Sequence, residues 1–494
     1  DHRDLHSFPT RRFPIFTLIL TLFLTNIAYA TNAKPKSSIK ANGIPIYFEK
    51  PADVDLFSEM FSNGNIYGRL RSNNFYFKWK DQDPTHDNHL INGIGASLVY
   101  QSATYSNVDF LLGGYASRAF FEGDDDIGLF KPGKDTFSRY NYKKDGDKHM
   151  FVLGQASLNY SGIEKTDIRI GRQFVETFYT ASNDTKMIPN TFDGVTIDTK
   201  IISDSKIKLA YLAKQKLRDH TQNHNVLMYD DRNTAEYSQW DGNDDSAMHR
   251  GLTYNALKAN GKPTDAALMI LDFKNNSIEN LTISGAVYHV EELLSQSMTE
   301  LNYNFNYNGF SIAPGIRYVH QFDNGAGKVG GASYLNDTTD YKNPDSLDSQ
   351  MLAARVVTKI NNYKINLAYS NVFNESDLIT PWRGFPTAGY TRSMGIYNWR
   401  ANTKSYRLEL VHNNNKNSIY RDPFIQASVL YTDGDSDKKA GNDYWYYYFG
   451  IIQNIPSFES LQYKLRLGYA DLLHQSKSED LSYLDARFEF NYMF

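Results

Sequence analysis

The chain is built from repeated stretches of about ten residues in which apolar and polar side chains alternate. In residues 483–494, leucine, alanine and aromatic residues form one face, whereas Asp485, Arg487 and Glu489 lie on the other. Successive side chains of a strand point to opposite faces, so this segment predicts a strand with one apolar and one charged surface. Such a strand suits the closing strand of a transmembrane β-barrel, although an edge strand of a soluble sandwich also alternates.

Four further segments show the same alternation and favour the barrel. Their apolar faces are Ile207, Leu209, Tyr211 and Ala213; Phe310, Ile312, Pro314, Ile316 and Tyr318; Tyr406, Leu408 and Leu410; and Leu461, Tyr463, Leu465, Leu467 and Tyr469. Polar residues, including lysines and arginines, occupy the intervening positions. One face of each segment therefore suits lipid and the other suits water.

The connections between these segments alternate in length. The short ones are residues 102–104, 161–165, 203–205, 276–280, 308–309 and 361–362, and the long ones are 121–148, 174–192, 216–264, 321–349, 371–404 and 433–443. This alternation predicts an all-β fold: an antiparallel transmembrane β-barrel of about 18 strands, with short periplasmic turns and long extracellular loops. Residues 251–259 fit either a loop or one more hairpin.

Composition agrees with a barrel. Aromatic residues make up 14% of the 494 residues, with 36 tyrosines and no cysteine. Tyrosine is typical of the aromatic girdles at the two membrane interfaces. After the first 30 residues, the chain has no apolar run of the roughly 20 residues that a transmembrane helix needs. The net charge of −4 does not indicate a nucleic-acid partner.

The first 30 residues are predicted to be a leader. Arg11 and Arg12 precede an apolar stretch at residues 13–25, and a small-x-small cleavage site ends at Ala30. An uncleaved membrane anchor is the alternative, and residues 1–10 are interpreted as an artefact ahead of the signal peptide, residues 11–30. Residues 31–65 are predicted to form a periplasmic extension able to pack in the barrel mouth, and residues 66–494 form the barrel.

Arginines recur on the polar faces of the predicted strands. A charge facing lipid at the membrane midplane costs about 2–4 kcal/mol, so these side chains are expected to face the lumen. We call this set the arginine row: Arg69, Arg71, Arg169, Arg172, Arg317, Arg355, Arg407, Arg466 and Arg487. Guanidinium groups bind carboxylates bidentately, so the row suits passage of an anion. Alternatively, the arginines only pair with lumen acids such as Asp485 and Glu489 and hold the wall together.

Residues 171–194 contain a loop rich in small polar groups and aromatic side chains. This loop either folds into the barrel and narrows the pore or lies on the surface. If it folds inward, its constriction residues are predicted to be Ser182, Asn183, Asp184 and Lys186, with Tyr179 as an apolar wall.

The Gly-Arg-Gln, Ser-Asn-Asp and Ile-Pro-Asn-Thr-Phe-Asp-Gly elements of residues 171–194 resemble the constriction-loop region of the OprD family of outer-membrane porins. Ile188 and Asp193 depart mildly from that pattern, which has Leu and Glu. Segments 57–61, 68–71 and 382–392 also resemble parts of the family. The resemblance implies an 18-stranded channel with an inward-folded third loop and arginines along one wall, which passes small carboxylate-bearing nutrients or amino acids.

Three other classes of function are possible for a chain with this pattern. A general diffusion porin would have no substrate site, and acidic segments 122–126 and 241–245 would give it a weak cation preference. A barrel enzyme is not indicated, because His289, His320 and His412 lie beside no serine motif. A plugged transporter would need a folded plug domain, for which the region before Ile66 is too short. No metal or cofactor is expected.

The expected partners follow from the predicted location in the bacterial outer membrane. They are membrane lipid and lipopolysaccharide, the barrel assembly machinery and small solutes, with a monomer or a homotrimer as the assembly. Phe490, Tyr492 and Phe494 at the end of the last strand are the predicted assembly signal.

Overall fold

A computed structural model of the chain describes residues 35–83, 86–122, 130–229, 247–416, 418–439, 441–473 and 480–494. The predicted leader at residues 1–30 lies outside these ranges. None of the helices within them is both long and apolar enough to cross a membrane.

Within the described residues, the chain forms 23 strands. In chain order they are β1 (Ser37–Ile39), β2 (Pro45–Tyr47), β3 (Asp53–Val54), β4 (Asn65–Trp79), β5 (His89–Gln101), β6 (Thr104–Tyr105), β7 (Val108–Glu122), β8 (His149–Ile163), β9 (Thr166–Gln173), β10 (Thr191–Thr199), β11 (Ser205–Lys216), β12 (Leu268–Asn275), β13 (Leu281–Val290), β14 (Leu294–Tyr303), β15 (Phe305–Tyr307), β16 (Phe310–Asp323), β17 (Ser349–Ile360), β18 (Tyr363–Val372), β19 (Thr403–His412), β20 (Phe424–Asp433), β21 (Tyr444–Ile455), β22 (Phe458–Leu472) and β23 (Tyr483–Met493). The helices are Glu59–Ser62, Arg139–Asp145, Tyr254–Ala259 and Ala326–Gly330, with a 3-10 turn at Lys134–Thr136.

Eighteen long strands form one closed antiparallel barrel, which confirms the predicted fold class. The ring closes where β23 pairs with β4, from Tyr483 opposite Trp79 to Met493 opposite Arg69. Beyond β23, Phe494 exchanges backbone hydrogen bonds with Gly68 at 2.8 and 3.0 Å. A closed ring leaves no unpaired strand edge in lipid, where an unsatisfied backbone group is costly.

The wall has an apolar outer face and a polar inner face, as β19 illustrates. Tyr406, Leu408 and Leu410 are 46–48% exposed, whereas Arg407 and Glu409 between them are buried. Large exposed apolar residues recur on the other wall strands in the same way, among them Leu98, Leu112, Ile170, Tyr211, Leu301, Ile316, Leu367 and Tyr447. This belt gives the barrel a surface suited to hydrocarbon.

We call the end of the barrel that carries β4's first residue and β23's last residue the turn end, and the opposite end the loop end. Among the connections at the loop end are loop 2 (residues 123–148), loop 3 (174–190), loop 4 (217–267) and loop 7 (373–402). Parts of loops 3, 4 and 7 pack with the inner faces of β10–β18 in an apolar cluster that includes Phe192, Tyr288, Trp382 and Trp399. Loop 2 packs separately, with Phe130 and Phe137 against Phe75 and Ile91. The loops therefore fill part of the lumen.

Residues 251–259 do not form an additional hairpin, so that alternative is wrong. Tyr254–Ala259 is a helix whose first turn is capped by Thr253, because the Thr253 side chain accepts a hydrogen bond from Ala256 N. Leu257 is fully buried in the apolar cluster. A capped amphipathic turn thus replaces the strand pairing.

Candidate functional site: a cationic channel in the lumen

A cavity of about 1630 Å³ occupies the lumen beside the packed loops. Its described lining includes 16 lysines and arginines: Lys131, Lys134, Lys186, Arg218, Arg250, Lys274, Arg355, Lys359, Lys364, Arg383, Arg392, Arg400, Arg407, Lys439, Arg466 and Arg487. Four acids lie among these residues, namely Asp135, Glu300, Glu409 and Asp485. The described lining therefore carries an excess of positive charge, and a space enclosed by low-dielectric walls concentrates the field of its lining charges.

One group of arginines is centred on Glu300. Cross-strand pairing places Arg317 of β16 opposite Glu300 of β14, and Arg317 Nε donates to Glu300 Oε2 at 2.6 Å. Arg355 of β17 reaches the other carboxylate oxygen, with Nη2 3.2 Å from Glu300 Oε1, and also donates to Asn302 Oδ1 at 2.7 Å. One carboxylate therefore serves two guanidinium groups, and the cluster keeps a net positive charge.

The same two arginines bind loop 7. Arg317 Nη1 donates to the carbonyl oxygen of Ala388 at 2.8 Å, and Arg355 Nη1 donates to that of Gly389 at 2.9 Å. The Tyr390 ring lies 4.5 Å from the Cζ atom of each guanidinium group, within cation–π range. Loop 7 is thus held over the cationic wall by carbonyl groups and an aromatic ring.

Arg407 continues this group on β19. Its Nη2 lies 2.5 Å from Glu409 Oε2, and Lys364 of β18 reaches Glu409 Oε1 at 3.0 Å. Ala368 of β18 pairs with Arg355 of β17 on one side and with Arg407 of β19 on the other. The two arginines therefore lie at the same level of the wall, with one strand between them.

A second group of arginines surrounds the barrel seam. Arg466 of β22 and Arg487 of β23 are direct cross-strand partners, an arrangement in which two like charges repel. Arg487 is neutralised by Asp485, with Nε 2.8 Å from Oδ1. Arg466 Nη2 donates to the carbonyl oxygen of Thr185 in loop 3 at 3.3 Å and lies 4.0 Å from Glu489 Oε2.

Loop 3 reaches this second group through Asp184. Its Oδ2 and Oδ1 atoms lie 2.5 Å from Arg69 Nη2 and Arg71 Nη1 of β4, respectively, and Arg71 also pairs with Glu489. Burial alone would raise the pKa of the Asp184 carboxyl, but the two guanidinium groups outweigh it and hold that pKa below its usual range. A charged Asp184 therefore ties loop 3 to the wall.

Loop 3 and loop 7 are joined to each other. Ala181 N donates to Trp382 O at 3.0 Å, and Gly384 N donates to Tyr179 O at 2.9 Å. A Cβ atom at Gly384 would lie 2.1 Å from the Tyr179 carbonyl carbon, so this contact requires glycine. Two of the segments singled out by sequence, 171–194 and 382–392, thus meet in space.

The predicted constriction residues divide into two sets. Asn183 and Lys186 line the cavity, and Lys186 Nζ lies 4.4 Å from the centre of the Phe75 ring. Ser182 and Asp184 are buried behind that surface. Tyr179 is not a pore wall, because it is buried with its ring centre 4.7 Å from that of Tyr288 in the apolar cluster.

Seven members of the arginine row face the lumen in the two groups above, and Arg169 and Arg172 lie apart from them. Arg169 and Arg172 are three positions apart on β9, so they point to opposite faces. Arg172 shares the outer face with Ile170, which is 54% exposed, and its Nε lies 2.8 Å from Asp193 Oδ1. Placing Arg172 in the row is therefore corrected. Arg169 shares the inner face with the buried Gln173 but does not border the cavity described above.

Several lining residues were missed by the sequence analysis. Lys131 and Lys134 of loop 2 and Arg218 of loop 4 border the cavity, as do Ala41 and Asn42 near the beginning of the described chain. Their segments show no alternation, so no periodic signal marks them as lumen residues. Within the described residues, no three acidic or histidine side chains are arranged to hold a metal ion.

A closed barrel with an apolar outer belt and a charged, hollow interior defines a membrane channel of the porin class. The family model for the outer membrane porin, OprD family, matches residues 143–439, which is more than half of the chain. The chain belongs to the OprD family of outer-membrane porins, and its place is the outer membrane, in contact with lipid and lipopolysaccharide. The family and the fold are those of channels that solutes cross.

Solved structures show the same fold. OccK8 (OprE) of Pseudomonas aeruginosa is 14% identical, with a TM-score of 0.65 over 88% of this chain and 99% of that chain. OccAB3 of Acinetobacter baumannii is 13% identical, with a TM-score of 0.64 over 88% and 100% of the two chains. A BenF-like porin from Pseudomonas fluorescens Pf-5 is 12% identical, with a TM-score of 0.65 over 88% and 99%. No curated protein sequence matches this chain.

Proposed function

We propose that this porin is a passive uptake channel for small hydrophilic anions, chiefly carboxylate-bearing nutrients or amino acids. The observation that supports this proposal is the excess of cations over acids in the lining, 16 against four among the described residues. Because lining charges act together through the low-dielectric wall, such an excess raises the local concentration of anions and lowers that of cations.

The two arginine groups suit stepwise movement of a carboxylate. Arg355 is reachable from the cavity, because 20% of its side chain is exposed, and its fork already holds a carboxylate oxygen of Glu300. A solute carboxylate can take over such contacts one at a time without leaving a guanidinium group unpaired, which keeps each step shallow. The arginine row would then act by exchange of partners rather than by a single tight site.

A general diffusion porin with a weak cation preference is the less favoured alternative. Its acidic segment 241–245 lies outside the described residues, as does most of segment 122–126. The described lining has the opposite sign of charge. Fixed lysines and arginines along the path would oppose cation passage even where the outer loops attract cations.

Reversal potential in a planar bilayer under a KCl gradient tests the proposed selectivity. We expect an anion-selective potential for the full chain, and a chloride-to-potassium permeability ratio lowered about twofold or more in the double variant Arg355→Gln/Arg407→Gln, since two lining charges are lost. Arg421→Gln is the control, because Arg421 pairs with Glu459 outside the cavity and is largely exposed. A cation-selective full-length channel would contradict the proposal.

Current block by solutes separates a selective channel from a general one. Small carboxylates should interrupt single-channel current at lower concentration than uncharged molecules of equal size, because only the carboxylates engage the arginine row. Equal block by both would favour the general porin.

We also propose that Phe490, Tyr492 and Phe494 are recognised during assembly. This proposal is supported by their position at the end of the closing strand, next to the seam with β4, on the face of the strand that carries the exposed Phe490. Whether the barrel is a monomer or a homotrimer stays a prediction.

A further inference from the structure

The described chain begins with a small hairpin that is not part of the barrel wall. Strands β1 and β2 pair from Ser37 opposite Tyr47 to Ile39 opposite Pro45. The turn between them closes through Gly43 N, which donates to Lys40 O at 2.8 Å. Gly43 has φ +81°, a conformation that glycine adopts without strain. We call residues 36–48 the N-terminal hairpin.

The N-terminal hairpin is attached to wall strands on separate sides of the lumen. Tyr47 Oη donates to Gln155 Oε1 of β8 at 3.2 Å. Ala41 O accepts a hydrogen bond from Lys464 Nζ of β22 at 3.0 Å, and Ala41 N donates to Tyr420 Oη, in the turn between β19 and β20, at 2.9 Å. The hairpin therefore crosses the inside of the barrel near its turn end.

The tip of the hairpin meets loop 3. Asp184 N donates to Gly43 O at 2.8 Å, so the residue that ties loop 3 to Arg69 and Arg71 is also bound to the hairpin. The packing is close, because a Cβ atom at Gly43 would lie 2.6 Å from Thr185 Cγ2 and 3.2 Å from the Asp184 carbonyl carbon. Ala41 and Asn42 border the same cavity as Asn183 and Lys186.

We propose that the N-terminal hairpin is the second half of the constriction, facing loop 3, and that it sets the size limit of the pore. This inference rests on the proposed channel function. The hairpin carries Lys36 and Lys40 and no acidic residue, so it narrows the path without adding a negative charge. Size selection by the hairpin and charge selection by the arginine row are then separate properties of one channel.

Deletion of the N-terminal hairpin tests the proposal. The barrel closes through β4 and β23 without the hairpin, so a variant lacking residues 36–48 should still form the wall. We expect it to have a larger single-channel conductance and to admit larger neutral solutes in liposome swelling, with an anion-selective reversal potential as in the full chain. Retention of the folded form is read from heat-dependent gel migration.

A point variant tests the contact itself. Gly43→Ala places a Cβ atom against loop 3, whereas Gly309→Ala introduces the same strain in open space, because Gly309 also has φ +81° and has no neighbour within 4 Å of an added Cβ atom. We expect the single-channel conductance to change in Gly43→Ala and to stay unchanged in Gly309→Ala.

The outcomes separate this inference from the proposed function. Unchanged conductance and size limit in a folded deletion variant would overturn the role of the hairpin, whatever the ion selectivity. Raised conductance together with cation selectivity in the full chain would support the hairpin and contradict the anion channel.

Discussion

At the scale of single residues, the proposed anion selectivity depends on which lumen carboxylates are already paired with arginines. Asp184, Glu300 and Glu489 each contact two or more cationic side chains, whereas Asp485 is bound to Arg487 on its own strand. Sharing acids in this way fixes the geometry of the arginines and leaves positive charge uncompensated. The two interpretations of the arginines, wall support and anion pathway, are therefore compatible.

Asp184→Asn should loosen loop 3. The change leaves Arg69 without its carboxylate partner, and breaking a buried ion pair costs about 3–5 kcal/mol when no water compensates. Because lumen water reduces this loss, we expect the free energy of unfolding to fall by about 1–3 kcal/mol, with increased open-channel noise.

Asp193→Asn is the matched control for that measurement. It removes a carboxylate from the ion pair between Asp193 and Arg172. The side chains of Arg172 and Asp193 are 27% and 29% exposed, so we expect the free energy of unfolding to fall by only about 0–1 kcal/mol. Equal losses in the two variants would contradict the anchoring role of Asp184.

Burial, together with the nearby Lys134, Arg250 and Arg400, lowers the pKa of Lys131 to about 8. The proposed anion preference should therefore decline as the pH rises through about 8. Above that pH, Lys131 loses its charge while the arginines keep theirs. Lys131→Arg should reduce this decline in reversal potential measured from pH 6 to pH 9. Lys186 also lines the cavity, and burial holds its pKa well below the usual value, so part of the decline can remain. A decline of unchanged size in Lys131→Arg would assign the titration to another group.

At the scale of elements, the strands were predictable and the loop contacts were not. Alternation identified the wall because burial on one face leaves a period of two in the sequence, as in β19 and β22. Loop packing leaves no period: the contact of Gly384 with Tyr179 joins residues from different loops, and neither segment alone reveals its partner. The sequence does show that Arg169 and Arg172, three positions apart on one strand, point to opposite faces and cannot both face the lumen.

The last residue of the chain should matter for closing the wall. A Cβ atom at Gly68 would lie 2.2 Å from the Phe494 ring, so the ring occupies the space that a side chain would take. Phe494→Ala should therefore reduce the yield of folded barrel in the outer membrane, measured by heat-dependent gel migration. Phe488→Ala, which shortens an aromatic residue on the same face of β23 away from the chain end, is the control. Equal yields would contradict a role for the last position.

At the scale of the whole molecule, the barrel separates three tasks. The outer belt meets lipid, the arginine groups follow the arc of wall from β14 through β19 and across the seam at β22, β23 and β4, and loops 3 and 7 fill part of the lumen and are bound to both arginine groups. The alternation of the sequence predicted the first task, and the role of the arginine row in the second stays a prediction. The third depends on contacts between distant segments, so it required the structure.

The pairing of β23 with β4 also bears on how the protein is made. Arg71 and Glu489 form an ion pair across the seam although 418 residues separate them. The wall cannot close until the last strand has been synthesised and exported, and pairing over such a separation is intrinsically slow. Until then β4 presents an unpaired edge, which exposes the nascent chain to aggregation. We therefore expect the chain to need chaperoning in transit, as a consequence of the order in which its strands are made.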